Sequence, residues 1–281
     1  MVAAGDAESR ITRNLHRKRM TLPVPSLQEL LPTGHARFLG WSCIADPAIA
    51  GALARAGFDA VLLDQQHGAY DYRTSCAAIT EVALAGKPAL VRVPVGDFAM
   101  VSRMLDAGAA GIVAPMINTV AQAEALAAAA KFPPVGQRSW GPDRAIVLSG
   151  LRDGTEYLAG GNARALTIAM CETGESIAAL ESILAVPGID GILVGPADLS
   201  IALSRGTAID PTGSAVTAAL GEIVRRTLAA GKLPCAFAPS AARAREMVAM
   251  GFQLVSIAYD SMTIAEAFAR LLREADPSRA G

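Results

Sequence analysis

Short aliphatic runs alternate with longer Ala- and Leu-rich segments along almost the whole chain. Such short runs, flanked by helical segments, are typical of buried parallel strands. We predict strands at about 38–44, 60–64, 89–93, 111–115, 165–171, 191–194, 234–238 and 254–258, and helices at about 47–56, 73–86, 97–107, 120–131, 174–185, 213–230, 240–250 and 261–275. Strand–helix alternation produces βαβ units and a parallel sheet. Eight such units predict an α/β protein that closes into a (β/α)₈ TIM barrel rather than an open sheet.

Composition limits the possible partners of this barrel. The chain has 281 residues, is 52% hydrophobic and 18% charged, and carries a formal net charge of -1. We therefore predict one barrel domain over residues 26–281, no nucleic-acid partner because there is no basic excess, and no membrane span because no apolar run approaches about 18–20 residues. Four scattered cysteines without CxxC spacing favour a reducing, cytoplasmic location. Arginines cluster in residues 1–25, which we expect to form a flexible basic tail.

Two carboxylates follow neighbouring predicted strands. Glu172 comes directly after the fifth strand, and Asp198 follows the sixth. Either carboxylate alone would also suit a helix N-terminus, where negative charge is favourable. Because active sites of (β/α)₈ barrels lie at the carboxyl ends of the strands, the pair points instead to a hard divalent cation such as Mg²⁺ or Mn²⁺.

Three further polar residues occupy the ends of the second and third strands. Asp64 and His67 follow strand two at a spacing of three, and we expect Asp64 to orient the imidazole of His67 as a general base. Arg92 lies inside a β-branched run, where a guanidinium needs an anionic partner. That partner is either a structural carboxylate or a bound oxyanion.

One connection is much longer than the others. Between Asn118 and Arg164 it includes a Pro-, Gly- and Arg-containing stretch with Arg138 and Trp140. Long connections in compact domains often carry function. We predict a lid over the mouth of the barrel, with Arg138 and Trp140 contacting substrate. No glycine-rich nucleotide motif or Walker loop follows a predicted strand.

An ordered set of short motifs connects these residues to a known family. In chain order the set is Ala45-Asp46-Pro47, Ala56-Gly57-Phe58-Asp59, Asp64-Gln65-Gln66-His67, Arg92-Val93-Pro94, Pro115-Met116, Phe132-Pro133-Pro134-Val135-Gly136-Gln137-Arg138, Cys171-Glu172-Thr173 and Gly195-Pro196-Ala197-Asp198-Leu199-Ser200. The chain thereby resembles the HpcH/HpaI class II pyruvate aldolase family, from about Phe38 to Ala275. The resemblance implies a barrel of the phosphoenolpyruvate/pyruvate type with extended C-terminal helices. It also implies a homo-oligomer, a trimer or hexamer that swaps those helices.

The same resemblance implies an activity and a set of roles. A divalent metal (Mg²⁺, Mn²⁺ or Co²⁺) held by Glu172 and Asp198 would chelate a 2-oxo acid, and the enzyme would cleave a 4-hydroxy-2-oxo acid to pyruvate and an aldehyde through a metal-bound enolate. Arg92 would stabilise the enolate oxygen, while His67, supported by Asp64, would take the proton of the C4 hydroxyl. The remaining substrate contacts are expected from Gly195, Ala197, Gln66, Arg138 and Trp140. No Schiff-base lysine is needed.

Two positions depart from the family pattern. Gln66 stands where many members have Glu, and Met170 stands where some members have Gln two residues before the metal glutamate. Both changes remove polar or charged contacts. Three alternatives therefore remain at the level of sequence: an oxaloacetate-type decarboxylase, a CoA-ester lyase on the same metal site, and a barrel that binds a 2-oxo acid without catalysis.

Overall fold

Eight parallel strands close into a barrel in the computed structural model, each pairing with its neighbours in chain order and β8 pairing with β1. The structure describes residues 24, 26–31, 35–276 and 278. Apart from Val24, the predicted tail lies outside them. The strands are β1 (Arg37–Ser42), β2 (Ala60–Asp64), β3 (Ala89–Arg92), β4 (Gly111–Ala114), β5 (Leu166–Cys171), β6 (Gly191–Val194), β7 (Leu233–Ala238) and β8 (Leu254–Ile257).

Helices follow every strand and cover the outside of the barrel. They are α1 (Leu27–Leu30), α2 (Pro47–Arg55), α3 (Tyr72–Leu84), α4 (Phe98–Asp106), α5 (Val120–Ala130), α6 (Asp143–Ser149), α7 (Gly154–Arg164), α8 (Gly174–Ala178), α9 (Leu180–Leu184), α10 (Pro196–Leu203), α11 (Ser214–Ala229), α12 (Ala241–Met250) and α13 (Asp260–Ala275). Many begin at a polar residue whose side chain accepts a backbone N–H, as Asp46 does for α2 and Thr119 for α5. These caps satisfy donors that the first helical turn leaves free.

Alternate strand residues form two separate apolar layers. Inward residues such as Leu39, Leu62 and Ile168 fill the barrel, whereas outward residues such as Val61 and Ala169 pack against the helices. The short helix α1 closes the barrel at the amino ends of the strands, and its Leu27 is fully buried in the inner layer. At the carboxyl ends of β2 and β3, the charged residues Asp64 and Arg92 replace the apolar residues of this layer.

The predicted barrel is confirmed, and each predicted strand agrees with the observed one to within two residues. The segment predicted as one helix at 174–185 is divided into α8 and α9, and α1, α6, α7 and α10 lie outside the predicted helix ranges. Of these, α1 has a clear signal in the sequence, the Ser26–Glu29 capping box. No helix among the described residues is long and apolar enough to cross a membrane.

The plug formed by α1 gives a first prediction. Leu27→Ala should lower the free energy of unfolding by about 2–5 kcal/mol, because it opens a cavity at the base of the inner layer. Leu158→Ala is the control, since Leu158 is 49% exposed and its truncation should change stability by less than about 0.5 kcal/mol. Urea unfolding followed by circular dichroism measures both. Equal effects of the two substitutions would show that α1 does not close the barrel.

Candidate active site

A buried ion pair joins the ends of β2 and β3. Asp64 and Arg92 are register partners on these strands, and Arg92 donates from Nε to Oδ1 (2.9 Å) and from Nη2 to Oδ2 (2.6 Å). The Trp41 Nε1–H donates to the same carboxylate at 3.2 Å, and its ring lies 4.8 Å from the Arg92 guanidinium carbon. Arg92 lines the cavity at the barrel mouth, and no hydrogen bond from the described residues engages its Nη1. That nitrogen is therefore free to meet a ligand.

The Asp64 carboxylate does not orient the His67 imidazole as predicted. It accepts the backbone N–H groups of Gln66 (3.0 Å) and His67 (3.3 Å), but no hydrogen bond joins it to the His67 ring in the described structure. Burial alone would raise the pKa of Asp64, but the bonds and charge of Arg92 hold this pKa below its usual value. The carboxylate thus fixes the turn that carries His67. The exposed His67 ring lines the cavity but receives no hydrogen bond from Asp64.

Glu172 and Asp198 come together at the ends of β5 and β6. Glu172 is 2% exposed, and the backbone N–H of Met116 donates to its Oε2 at 3.1 Å. Burial raises the pKa of Glu172 to about 7; the Met116 bond opposes this, and the Asp198 charge adds to it. Asp198 itself is exposed, in the first turn of α10. The Arg92 charge also opposes the rise, but Glu172 forms no ion pair with a described residue that would compensate for its burial.

Gly195 provides the space in which the Glu172 carboxylate lies. A β-carbon on Gly195 would stand 2.5 Å from Glu172 Oε1, so any other residue would displace that oxygen. The described residues contain no group of three or more His, Cys, Asp or Glu suited to hold an ion. A pair of carboxylates with open positions for water or substrate oxygens fits Mg²⁺ or Mn²⁺, which keep several such ligands. The residues present thus fit a divalent cation.

Most of the predicted site residues meet at one cavity of about 370 Å³ at the carboxyl ends of the strands. The predicted residues that line it are Asp64, His67, Arg92, Gly195, Ala197 and Asp198. Glu172 lies directly behind Gly195. Gln66 does not line the cavity; it is half-buried, and its Oε1 is buried without a hydrogen-bond partner.

The predicted lid is wrong, and with it the placement of Arg138 and Trp140. Arg138 donates to Asp106 at the end of α4 (2.6 Å), and its backbone N–H donates to the carbonyl of Lys131. In a (β/α)₈ barrel the helices end near the amino ends of the strands, so this connection folds at the opposite end from the cavity. Trp140 packs there against Phe132 and Tyr157, with ring centroids 5.6 and 6.3 Å away.

The residues that line the cavity without having been predicted as site residues include an aromatic group and a cysteine. Trp41 and Cys43 line the mouth from β1 and the segment after it, Phe237 from β7, and Tyr259 from the segment after β8. Their inward positions follow from strand alternation, which gives a usable signal. Apolar residues near the ends of strands nevertheless look like ordinary core in a sequence.

A buried aspartate that the sequence analysis did not predict connects the segment after β1 to the start of α13 at this mouth. Asp260, the first residue of α13, accepts the Ser42 hydroxyl (2.8 Å) and the backbone N–H groups of Cys43 (2.9 Å) and Ile44 (3.1 Å). It is 4% exposed. The segment that follows β1, including Cys43 in the cavity wall, is thereby attached to the start of the last helix.

Known proteins resemble this chain over most of its length. The model of the family described as HpcH/HpaI aldolase/citrate lyase matches residues 37–267. A hydroxypyruvate/pyruvate aldolase of Rhizorhabdus wittichii is 37% identical over 86% of this chain and 95% of its own length. A 4-hydroxy-2-oxovalerate aldolase of Novosphingobium aromaticivorans is 32% identical over 88% and 93%. The crystal structure of a Burkholderia cenocepacia protein of the same family superposes with a TM-score of 0.79 at 30% identity, covering 88% of this chain and 97% of that one.

The buried pair at β2 and β3 should be essential to the fold. Asp64→Asn removes the charge that balances Arg92, and we expect a loss of about 3 kcal/mol or more, because an unpaired buried guanidinium remains. Glu81→Gln breaks the exposed pair with Arg55, whose side chains are 58% and 40% exposed, and should cost less than about 1 kcal/mol. Chemical unfolding of both variants measures the difference. An Asp64→Asn protein as stable as Glu81→Gln would contradict a structural role for the pair.

Proposed function

Because the chain belongs to the HpcH/HpaI aldolase/citrate lyase family, we propose that it is a divalent-metal-dependent aldolase that reversibly cleaves a 4-hydroxy-2-oxo acid to pyruvate and an aldehyde. One observation carries the proposal. A free guanidinium nitrogen on Arg92, the His67 ring and the Asp198 carboxylate line one cavity at the carboxyl ends of the strands, and the Glu172 carboxylate lies behind Gly195 in its wall.

Glu172 and Asp198 would hold the metal ion, with Mg²⁺, Mn²⁺ and Co²⁺ as the candidates. When bound, the ion supplies a Lewis acid that polarises the keto group of the substrate. Gly195 keeps the Glu172 oxygen in place, and the Met116 N–H orients the same carboxylate. Positive charge at this point would offset the burial that raises the pKa of Glu172.

The first turn of α10 would bind the substrate carboxylate. The N–H groups of Ala197 and Asp198 lie in that turn, where an α-helix leaves its backbone donors without intrahelical partners. Arg92 Nη1 would donate to the oxygen that develops negative charge at C2. Because Asp64 already holds Nε and Nη2, the guanidinium is oriented before substrate arrives.

His67 would act as the base in the cleavage direction. Its ring takes the proton of the C4 hydroxyl, the C3–C4 bond breaks, and the electron pair of that bond moves onto the pyruvate fragment as its enolate. The C4 fragment leaves as the aldehyde, and a proton added at C3 then yields pyruvate. Asp64 contributes by fixing the turn through the His67 backbone N–H.

The lysines support this assignment over Schiff-base catalysis. Lys131 donates to the carbonyl of Ala165, just before β5, and Lys232 donates to the carbonyl of Ile189, just before β6. Lys87 directly precedes β3. In the described part of the chain, all of them thus lie near the amino ends of strands, away from the cavity.

Deuterium exchange into pyruvate tests the function without knowledge of the aldehyde. In D₂O with Mg²⁺ or Mn²⁺, we expect exchange of the pyruvate methyl protons, measured by mass spectrometry. EDTA and Glu172→Gln should abolish it, because both remove the metal. Absence of exchange with every metal, in folded protein, would refute the aldolase. Exchange accompanied by turnover of oxaloacetate alone would favour a decarboxylase instead.

Gly195 allows the metal site to be tested by binding alone. Gly195→Ala should weaken Mn²⁺ affinity by about 10–100-fold, because its β-carbon displaces a Glu172 oxygen. Gly221→Ala is the matched control: it lies in α11, and its β-carbon would meet nothing within 4 Å. Electron paramagnetic resonance titration of Mn²⁺ measures both. Equal affinities of the two variants would place the metal elsewhere.

The proposed assembly is a homo-oligomer in which α13 packs against a second copy of the chain. Asp260 is the only buried residue among the 16 residues of this helix, and Phe268, Leu271 and Leu272 on one face are 68%, 54% and 48% exposed. Beside the start of α13, an apolar groove of about 730 Å³ includes Leu53 and Phe58. An exposed apolar stripe and an open apolar groove of this kind are typical of subunit contacts.

An aspartate placed on either face of α13 tests this assembly. Phe268→Asp should reduce the mass measured by light scattering, because it places a charge in the proposed contact. Arg270→Asp, on the other side of the helix, should leave the mass unchanged, since its side chain is 69% exposed in an ordinary surface pair. A Phe268→Asp protein of wild-type mass would contradict the contact.

A further inference from the structure

The cavity at the barrel mouth has a charged side and an aromatic side. Strands β2 to β6 direct Asp64, Arg92 and Asp198 to it, with Glu172 behind. The remaining sector, from β7 through β8 to β1, is instead lined by Phe237, Tyr259, Ser261, Trp41 and Cys43, of which three are aromatic and none is charged. The two sets are contiguous around the barrel and do not alternate.

The aromatic side is a connected stack. Phe237 meets Trp41 edge to face, with centroids 5.3 Å apart and planes at 84°, and Tyr259 lies 6.3 Å from Phe237 at 31°. Trp41 is 4% exposed and Tyr259 is 36% exposed, so the stack rises from the floor of the cavity to its rim. Such a surface suits a flat apolar group, because aromatic pairs add attraction beyond simple burial.

Positive charge reaches the aromatic side only at its floor, where the Arg92 guanidinium carbon lies 4.8 Å from the Trp41 ring among the described residues. Arg92 is the single cation among the described residues that line the cavity, and Asp64 already engages it. The Cys43 thiol stays neutral, because burial and then the charges of Asp64 and Asp260 raise its pKa to about 12. An anionic group beside Phe237 and Tyr259 would lose hydration without gaining a cationic partner.

The order of groups around the barrel fixes which end of the substrate meets which side. In the proposed function the carboxylate of the keto acid binds at β6 and the base lies after β2. C4 of the substrate must therefore lie near His67, and the keto-acid end occupies the sector from β3 to β6. The substituent on C4 is left with the sector from β7 to β1.

We propose that the aldehyde side of this cavity selects an apolar, flat substituent, so that the chain prefers 4-hydroxy-2-oxo acids derived from aromatic aldehydes over those whose aldehyde carries a carboxylate. This inference rests on the proposed function.

Three substrates and two substitutions of Tyr259 test the preference. The substrates are 4-hydroxy-2-oxo-4-phenylbutanoate, 4-hydroxy-2-oxopentanoate and 4-hydroxy-2-oxoheptanedioate, and pyruvate release gives kcat/KM for each. We expect the phenyl substrate to exceed the dianionic one by about tenfold or more. Tyr259→Ala should lower the phenyl-to-methyl ratio of kcat/KM about five- to tenfold, mainly through KM, and Tyr259→Phe should restore it.

The outcomes separate the two proposals. If wild-type protein exchanges pyruvate protons but prefers the dianionic substrate, or if Tyr259→Ala leaves the phenyl-to-methyl ratio unchanged, the aldehyde preference is refuted and the aldolase stands. If the wild type exchanges pyruvate protons but does not cleave the phenyl substrate, the aldehyde preference is likewise refuted and the aldolase stands. If the wild type neither exchanges pyruvate protons nor cleaves any of the three acids, the proposed function fails and the preference fails with it.

Discussion

A buried ion pair between adjacent strand ends organises the mouth of this barrel. Asp64 on β2 and Arg92 on β3 face each other in register, with side chains 1% and 8% exposed. Neither charge is tolerable in that environment alone, so each fixes the other. The same carboxylate accepts Trp41 and the backbone of the turn that carries His67. The orientation of the guanidinium, the indole and the histidine turn thus depends on a single carboxylate.

The opposite part of the mouth handles its charge differently. Asp64 is neutralised within the chain, and its pKa is low. Glu172 is as deeply placed but forms no ion pair with a described residue, and burial raises its pKa to about 7 although the Arg92 charge opposes this rise. Two buried carboxylates on one rim therefore have different roles. One builds the scaffold with Arg92, and the other keeps an unmet demand for positive charge that a divalent ion would satisfy.

The sequence predicted what depends on local pattern and failed where contacts cross the fold. Aliphatic runs located all eight strands, and the polar residues at their ends located Glu172, Asp198 and Arg92. The spacing of Asp64 and His67 suggested a dyad, but register gives that carboxylate to Arg92. The placement of Arg138 was inferred from composition alone. Only the direction of the chain after α5 shows that this connection folds near the amino ends of the strands.

The last helix begins inside the site that it helps to shape. Tyr259 forms the rim of the aromatic side, and Asp260, one residue later, holds the segment after β1 through Cys43 and Ile44. The preceding Ala258 is in the left-handed region at a φ of 53°, which most side chains avoid, so the turn into the helix is strongly constrained. A second copy packed against α13, as proposed above, would therefore act on the aromatic wall through Tyr259 and Asp260. The proposed assembly and the proposed aldehyde preference would for that reason be physically connected.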